Sequence, residues 1–400
     1  MSFEHASEEI PNQPIHGDKK SKKTLFVFSA SSFLNDLGSD MLQPIWPIFV
    51  TKVIGADAAF LGLIDGIGNA AVYFSQFASG YISDAIKKRK IFIWAGYFFA
   101  AIGKLGYFIS TVPLLLVPSK ILDRMGKMRD APRDAIITEI FPAKERGEAF
   151  GFIRAFDRAG AVLGILASLY LLHIAFPIRS IIFISVIPSI LAALLILFFI
   201  KERNTTTPVK KLALPSFKSF DKNFLLYLTS LGLIGTSTFS FSFLLLGAGE
   251  LGYKETSLPI LYLLFTSVAA ITSYSFGKLG DKRGSKNILT VSYLLWIGTA
   301  LCFILPWANL LVPFTFILYG LFIGAYEPIS RAIIGNITKE EHRATALGTT
   351  SFITGIVSLP SSLIAGILWQ AFGFKTSFIF SIVIAIIALA ILRFVKTDSE

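Results

Sequence analysis

The side chains best able to do chemistry crowd into one stretch of an otherwise apolar sequence: Lys120, Asp123, Arg124, Lys127, Arg129, Asp130, Arg133 and Asp134. Lys120, Asp123 or Arg124, Lys127, Asp130 and Asp134 recur at steps of three and four, which lines them along one side of a helix, while Arg129 and Arg133 form a second stripe. Further polar groups interrupt neighbouring apolar runs: Asn35, Asp36 and Asp40, then Asp65 and Asn69, Lys104, Arg154, Asp157 and Arg158, and finally Glu327 and Arg331. Beyond Glu327 and Arg331 the second half of the chain adds little to this set. Such acids and bases can exchange protons and recognise ions. They do not make a covalent catalyst, because the histidines, His5, His16, His173 and His342, all fall in tails or loops and leave no base beside a nucleophile inside an apolar run. No Gly-x-x-x-x-Gly-Lys-Ser/Thr loop is present, which excludes an ATP-driven pump in this chain. The lone Cys302 excludes an internal disulfide and leaves no thiol cluster for a metal, and no cofactor is called for.

The elements that position these groups follow from composition. Hydrophobic residues make up 54% and charged residues 16%, against roughly a quarter charged in a soluble domain, so the expected class is an all-α polytopic membrane protein. Twelve runs of membrane-spanning length are read, six from 25–49 to 179–200 and six from 223–247 to 374–395. The implied organisation is a tail over 1–23, a helical bundle over 24–201, a polar linker over 202–222, a second bundle over 223–396 and a tail over 397–400. The charged fourth run, 114–138, would fail a hydropathy window. A charge at mid-membrane costs about 2.5–3.5 kcal/mol on insertion scales, so this helix must face protein or water rather than lipid. Two arguments keep it as a span: the tenth run, shifted back by 197 residues, falls on it, and without it the basic loops of the second half would change sides.

Lysine and arginine set the orientation. Lys19, Lys20, Lys22, Lys23, Lys87 to Lys90, Lys144, Arg146, the linker, Lys282, Arg283, Lys286, Lys339, Arg343, Arg393 and Lys396 fall on one side, and only Lys52, Arg179, Lys254 and Lys375 on the other. The positive-inside rule puts both termini in the cytoplasm, in a cell inner membrane. The net charge of +11 then needs no nucleic acid, since the basic loops sit against anionic lipid.

One half of the chain is a copy of the other. Gly80-Tyr-Ile-Ser-Asp84-Ala-Ile-Lys-Lys-Arg89-Lys90 recurs as Gly277-Lys-Leu-Gly-Asp281-Lys-Arg283-Gly-Ser-Lys286, and the same offset of 197 residues relates Arg146 to Arg343, Gly151 to Gly348 and Asp130 to Glu327. A duplicated chain whose halves each carry Gly-x-x-x-Asp and a basic cluster after the second span resembles the major facilitator superfamily of transporters. The run from Asp123 to Asp134, with Glu145-Arg-Gly147 and Arg154-Ala-Phe-Asp157, looks like a prokaryotic branch of it. The resemblance implies two pseudo-symmetric six-helix bundles, a monomer, and a cavity lined by the first, fourth, seventh and tenth helices. It also implies a cytoplasmic gate made by Gly80, Asp84, Arg89, Gly277, Asp281 and Arg283, with Arg133, Arg146, Arg331 and Arg343 pairing nearby. Lys120 stands where many proton-coupled members carry arginine, and Gly160-Ala-Val-Leu-Gly164 matches the start of an antiporter motif whose proline is replaced by Ile165. Glycines within spans, Gly66, Gly68, Gly151, Gly160, Gly164, Gly348 and Gly355, allow close helix approach.

The function expected is secondary active transport of a small organic solute by alternating access, as proton-coupled efflux of a drug-like compound or metabolite. Import or uniport of an anionic solute or metal chelate, and a non-transporting receptor of the same fold, stay open. Proton-coupling candidates are Asp36, Asp40, Asp123 and Asp157; Asp36 and Asp40 lie one helical turn apart, where like charges favour sharing one proton. Substrate-cavity candidates are Asn35, Lys120, Arg124, Lys127, Arg154, Arg158 and Glu327. The expected partners are the solute, protons and membrane lipid.

Overall fold

The computed structural model describes residues 19–142, 145–202, 221–338 and 343–396. The two tails, most of the expected linker, Lys144, Lys339 and His342 therefore lie outside the described residues, as do the side chains of Asp281 and Arg343. Every regular element among the described residues is a helix.

In chain order, α1 runs over Lys19–Leu42 and resumes as Trp46–Ile48 and a π-turn at Phe49–Val53. Then come α2 (Ala58–Ile86), α3 (Lys90–Ile109), α4 in three pieces (Pro113–Met125, a 3-10 turn at Gly126–Arg129, and Asp130–Ile140), α5 (Arg146–His173) and α6 (Ile178–Phe199). The second half repeats the series as α7 (Lys222–Ser237, resuming as Ser242–Glu250), α8 (Leu258–Arg283), α9 (Ser285–Ile304), α10 (Ala308–Ile337), α11 (Arg343–Phe372) and α12 (Phe374–Leu392). Among the described residues ten helices are long and apolar enough to cross a membrane; α1 and α4, which carry the polar groups, fall short of that measure.

The duplication read in the sequence is visible in the packing. α1 packs on α5 and α6, α3 on α4 and α6, and α2 on α4; the second half repeats each pairing six helices later, α7 on α11 and α12, α9 on α10 and α12, and α8 on α10. Ser32 and Tyr97 share a hydrogen bond of 3.2 Å in the first half, and Ser230 and Tyr293 share one of 3.3 Å in the second. The basic turns also correspond. Lys87 ends α2 in the left-handed conformation with φ 56°, and Gly284, 197 residues later, ends α8 with φ 86°. Glycine adopts positive φ at no steric cost, whereas lysine must be held there by its surroundings.

The first helix of each half is broken at matching positions. Pro44 has no N–H to donate and ends the first stretch of α1, and residues 238–241 interrupt α7. Irregular backbone is tolerated at membrane depth only where protein or a cavity covers it, and paired breaks in the two halves point to a binding site.

The halves meet chiefly along α2 and α11, with a lesser contact between α5 and α8. The α2–α11 seam is closest over its half remote from the basic turns. A methyl group on Gly66 would lie 2.7 Å from Leu359 Cα, Gly62 presses on the Ser362 carbonyl, and Gly366 presses on that of Ala58. Gly160 and Gly164 do the same for α5 against α1, at the carbonyls of Phe33 and Leu37. Gly151 and Gly348 do not serve close approach here: a methyl on either would meet open space, as it would on Gly277. All three lie near the basic end.

Candidate functional site

Along α4 the charged side chains form successive layers. The layer remote from the basic end centres on Asp65 of α2. Lys120 Nζ lies 2.9 Å from Asp65 Oδ1 and 3.7 Å from the centre of the Trp46 ring; Trp46 Nε1 donates to the same oxygen at 2.8 Å, and Ser240 Oγ of the second half donates to Oδ2 at 2.7 Å. Asp65 and Lys120 are both buried. A buried ion pair is sustained only when remaining lone pairs are bonded, and the indole and hydroxyl supply those bonds.

The middle layer is held by Asp123. Lys104, wholly buried on α3, approaches it at 3.3 Å, Tyr107 OH donates to it at 3.2 Å, and Arg124 Nε lies 3.9 Å away. This reach is possible because Gly103 and Gly106 bring the α3 backbone hard against Asp123 and Ser119.

The third layer surrounds Arg129 and Arg133. Arg129 donates to the Gly126 carbonyl at 2.7 Å, lies over the Tyr97 ring at 4.6 Å, and sits 3.8 Å from both Asp36 and Asp130. Arg133 reaches Asp130 at 3.6 Å, Asp134 at 3.1 Å and Ser32 Oγ at 2.9 Å. The two-stripe expectation for α4 needs correcting here. The two stripes meet at this level: Arg129, at the end of the 3-10 turn Gly126–Arg129, lines the same first-half cavity as Lys120, Arg124 and Lys127.

Two cavities adjoin these layers. One of about 100 Å³ lies within the first half and is lined by Asn35, Asp36, Asp40, Arg124, Lys127 and Arg129, among others. The other, of about 310 Å³, lies between the halves. Asp65, Asn69, Tyr73 and Arg124 form its first-half wall; Phe239, Phe241, Tyr319, Phe322 and Tyr326 form the facing wall, and Glu327 and Arg331 line it nearer the basic end. The expectation that the second half contributes little beyond Glu327 and Arg331 is therefore wrong. It contributes an aromatic wall, and the break in α7 presents Phe239, Ser240 and Phe241 to the cavity.

The sequence candidates sort as follows. Asn35, Asp36, Asp40, Asp123, Lys120, Arg124 and Lys127 line the first-half cavity, and Glu327 lines the central one. Asp36 accepts from Asn35 at 3.1 Å, and Asp40 from Tyr262 OH of the second half at 3.1 Å. Asp157 is 3.7 Å from Arg154 on α5 itself, and lines neither cavity; Arg154 and Arg158 are exposed. Near the basic end Arg89 bridges Asp84 at 3.1 Å and Glu139 at 2.5 Å, and Arg146 donates to the carbonyls of Thr138 and Phe141 at the end of α4. These bonds stay within the first half. Gly80 lies against Ala131 of α4, Gly277 stands in open space, and Arg283 and Arg331 are exposed. Bonds between the halves lie towards the other end: Lys52 to Glu255 at 2.7 Å, Asp40 to Tyr262, and Asp65 to Ser240.

Gln43, Trp46, Tyr107, Ser240 and Tyr262 are site residues that the sequence reading passed over. The paired chain breaks at Gln43-Pro44 and Thr238 to Phe241, 197 residues apart at Gln43 and Ser240, were the signal that could have found three of them.

Comparison with known proteins agrees with this architecture. The sequence profile of the Major Facilitator Superfamily matches residues 28–312 and 248–400. An uncharacterized MFS-type transporter of Methanocaldococcus jannaschii is 35% identical over 388 residues, covering 94% of this chain and 96% of that protein. The multidrug resistance protein MdtG of Proteus mirabilis is 28% identical over 307 residues, 72% of this chain and 73% of that one. Among solved structures, the nucleoside transporter NupG superposes with a TM-score of 0.76 at 15% identity, over 92% of this chain and 99% of that one. A bacterial homolog of the human lysosomal transporter Spinster, inward-facing and unoccupied, gives 0.73 at 16% identity, over 94% and 96%.

Proposed function

The chain belongs to the major facilitator superfamily of membrane transporters, and on that premise we propose that it exports an amphipathic organic solute by alternating access, driven by protons. The observation that carries this reading is the central cavity: one wall is built from fixed charges and amides, the other from aromatic rings, and the bonds that join the halves lie towards the end remote from the basic turns. A site of about 310 Å³ is at the small end of the range for organic ligands. The name of the related multidrug resistance protein supports export over import.

All twelve helical passages cross the membrane in this reading, α1 and α4 shielded by their neighbours. The basic end faces the cytoplasm under the positive-inside rule, with both termini there, in the cell inner membrane. The state described is then inward-open. Asp36 and Asp40 are the proton-exchanging pair, since both face one cavity and neighbour the cations of α4. The clusters at Asp84 with Arg89 and at Asp281 with Arg283 close the cytoplasmic side in the opposite state, each aspartate meeting the N-terminus of α11 or α5 in the other half.

The test is flux in proteoliposomes with an imposed pH gradient, against a panel of cationic, zwitterionic and anionic amphipathic compounds. Solute movement that follows the gradient and reverses with it is expected. Movement indifferent to the gradient for every compound would remove proton coupling, and a protein that binds but moves none would be a receptor.

A further inference from the structure

We propose that the solute carries an anionic head group and a planar ring system, and that Arg124 is the group that binds the anion. This rests on the reading of the central cavity as the transport site. Sorting the cations of α3 and α4 by their partners singles out Arg124, whose side chain is partly exposed to the cavities. Lys120 is matched by Asp65, Lys104 by Asp123, Arg129 by Asp36, Asp130 and the Gly126 carbonyl, and Arg133 by Asp130 and Asp134. Arg124 has only the leavings. Its nearest carboxylate, Asp123, stands at 3.9 Å and is already bonded by Lys104 and Tyr107. Among the described residues its one hydrogen bond, to Gln43 Oε1, is long at 3.4 Å; its Nε, like that of Arg129, is buried with no hydrogen-bond partner, but Arg129 also holds a bond of 2.7 Å to the Gly126 carbonyl. Asp65 cannot compensate it, because both oxygens are taken by Trp46, Lys120 and Ser240.

Position adds a second argument. Arg124 lines both cavities, so its guanidinium stands at their junction. Lys127, one turn along the same face, lines the first-half cavity and makes no ion pair within 4.0 Å among the described residues. A guanidinium with a buried, unmet donor is costly alone, and its planar fork matches a carboxylate, sulfonate or phosphate with two parallel bonds. Across the cavity stand Phe241, Tyr319, Phe322 and Tyr326, faces on which a planar ring can lie.

The test uses three probes sharing one ring and differing in head group, naphthoate, naphthamide and naphthylmethylammonium, with inorganic phosphate as the ring-free anion. Binding to the purified full chain is measured by thermophoresis. Naphthoate should bind at least about tenfold more tightly than the amide, the fold-change of one charge-assisted hydrogen bond, and more tightly than phosphate. Arg124→Gln should abolish the head-group preference, Arg124→Lys should keep part of it, and Arg393→Gln, at an exposed position beyond the end of α12, should leave it whole. If Arg124→Gln fails to fold, the wild-type ranking and Arg124→Lys still decide. Equal binding of the three probes, or a preference that survives loss of the guanidinium, overturns the assignment; phosphate binding as tightly as naphthoate overturns the organic, ring-bearing solute. Proton-driven flux on the same preparations separates the two levels: flux without anion preference refutes this inference alone, and absence of gradient-driven flux refutes the reading beneath it.

Discussion

Gly66→Ala should shift the protein out of its inward-open state. The added methyl would stand 2.7 Å from Leu359 Cα and 2.8 Å from its carbonyl oxygen, both backbone atoms that cannot rotate aside. Ordinary contact begins at 3.4 Å, so α2 and α11 must part by about 0.7 Å at this level. A radial gap of that size forfeits about a quarter to a half of the dispersion well for the atoms along the seam, and overpacking of this kind costs about 1–3 kcal/mol. The penalty falls on the state in which the outer seam is closed and is relieved when it opens. The equilibrium should therefore move towards the outward-open form by about 5- to 150-fold. The assay is maleimide labelling of Ser351→Cys, a cavity-lining position on α11, in a Cys302→Ser background. Closure of the cytoplasmic side should slow labelling in proportion to the shift. Gly151→Ala is the control, because a methyl there meets nothing within 4 Å. An unchanged labelling rate in folded Gly66→Ala, or an equal slowing by Gly151→Ala, would refute the reasoning.

Three further outcomes are expected. Lys120→Met should leave Asp65 a buried, uncompensated charge and lower stability by about 3–5 kcal/mol, with Asp65→Asn added to it restoring most of the loss; thermal unfolding of purified protein checks both, and a double variant no better than the single would count against the pairing. Asp36→Asn and Asp40→Asn should each abolish proton-driven accumulation while downhill exchange persists in part, and wild-type pH dependence in both would transfer the role to Asp123 or Asp157. Asp84→Asn should increase the inward-open population, read as reduced cysteine crosslinking across the cytoplasmic face, because the lost charge pairs only within its own half in the state described here; unchanged crosslinking and transport would remove Asp84 from the gate.

The duplication was legible because similar turn chemistry was kept in both halves: Asp84 and Asp281 stand near the ends of their helices 197 residues apart, and Lys87 and Gly284, which follow, both take positive φ. That the charged run 114–138 is helical, as α4, was legible from that repeat even though its hydropathy is low. Which acid meets which base was not. Asp65 and Lys120 are 55 residues apart, and only the packing of α2 on α4 brings them together. Helical periodicity also kept Arg129 apart from the Lys120 stripe, although both line the first-half cavity. The aromatic wall escaped for a different reason. In a membrane protein, Phe241, Tyr319 and Phe322 look the same in sequence whether they face lipid, core or cavity, so hydropathy carries no signal for them. The glycines divided in the same way: Gly66 and Gly348 are alike in sequence, and only the seam shows that one touches the opposite half.

The uneven division of charge between the halves bears on how such a chain can switch at all. Ion pairs buried in low dielectric cost several kcal/mol to separate, and here Asp65–Lys120, Asp123–Lys104 and the Arg129–Arg133 layer all lie within the first half. They travel with it as a rigid body and need not break when the halves rock. The bonds that must break are of another kind. Asp65 and Asp40 receive hydroxyl donors from Ser240 and Tyr262, each worth about 1.5–3 kcal/mol with a charged acceptor, and Lys52–Glu255 is an exposed pair worth about 0–1 kcal/mol. That total is of the same order as the differential binding energy a small solute or a proton can supply. Both Asp40 and Arg124 line the first-half cavity, so in the proposed cycle a proton on the one and an anion on the other would act on the same wall from which the crossing bonds are made. Coupling between solute, proton and conformation then needs no long-range pathway, only the loss of a hydroxyl bond across the seam when the charge beneath it changes.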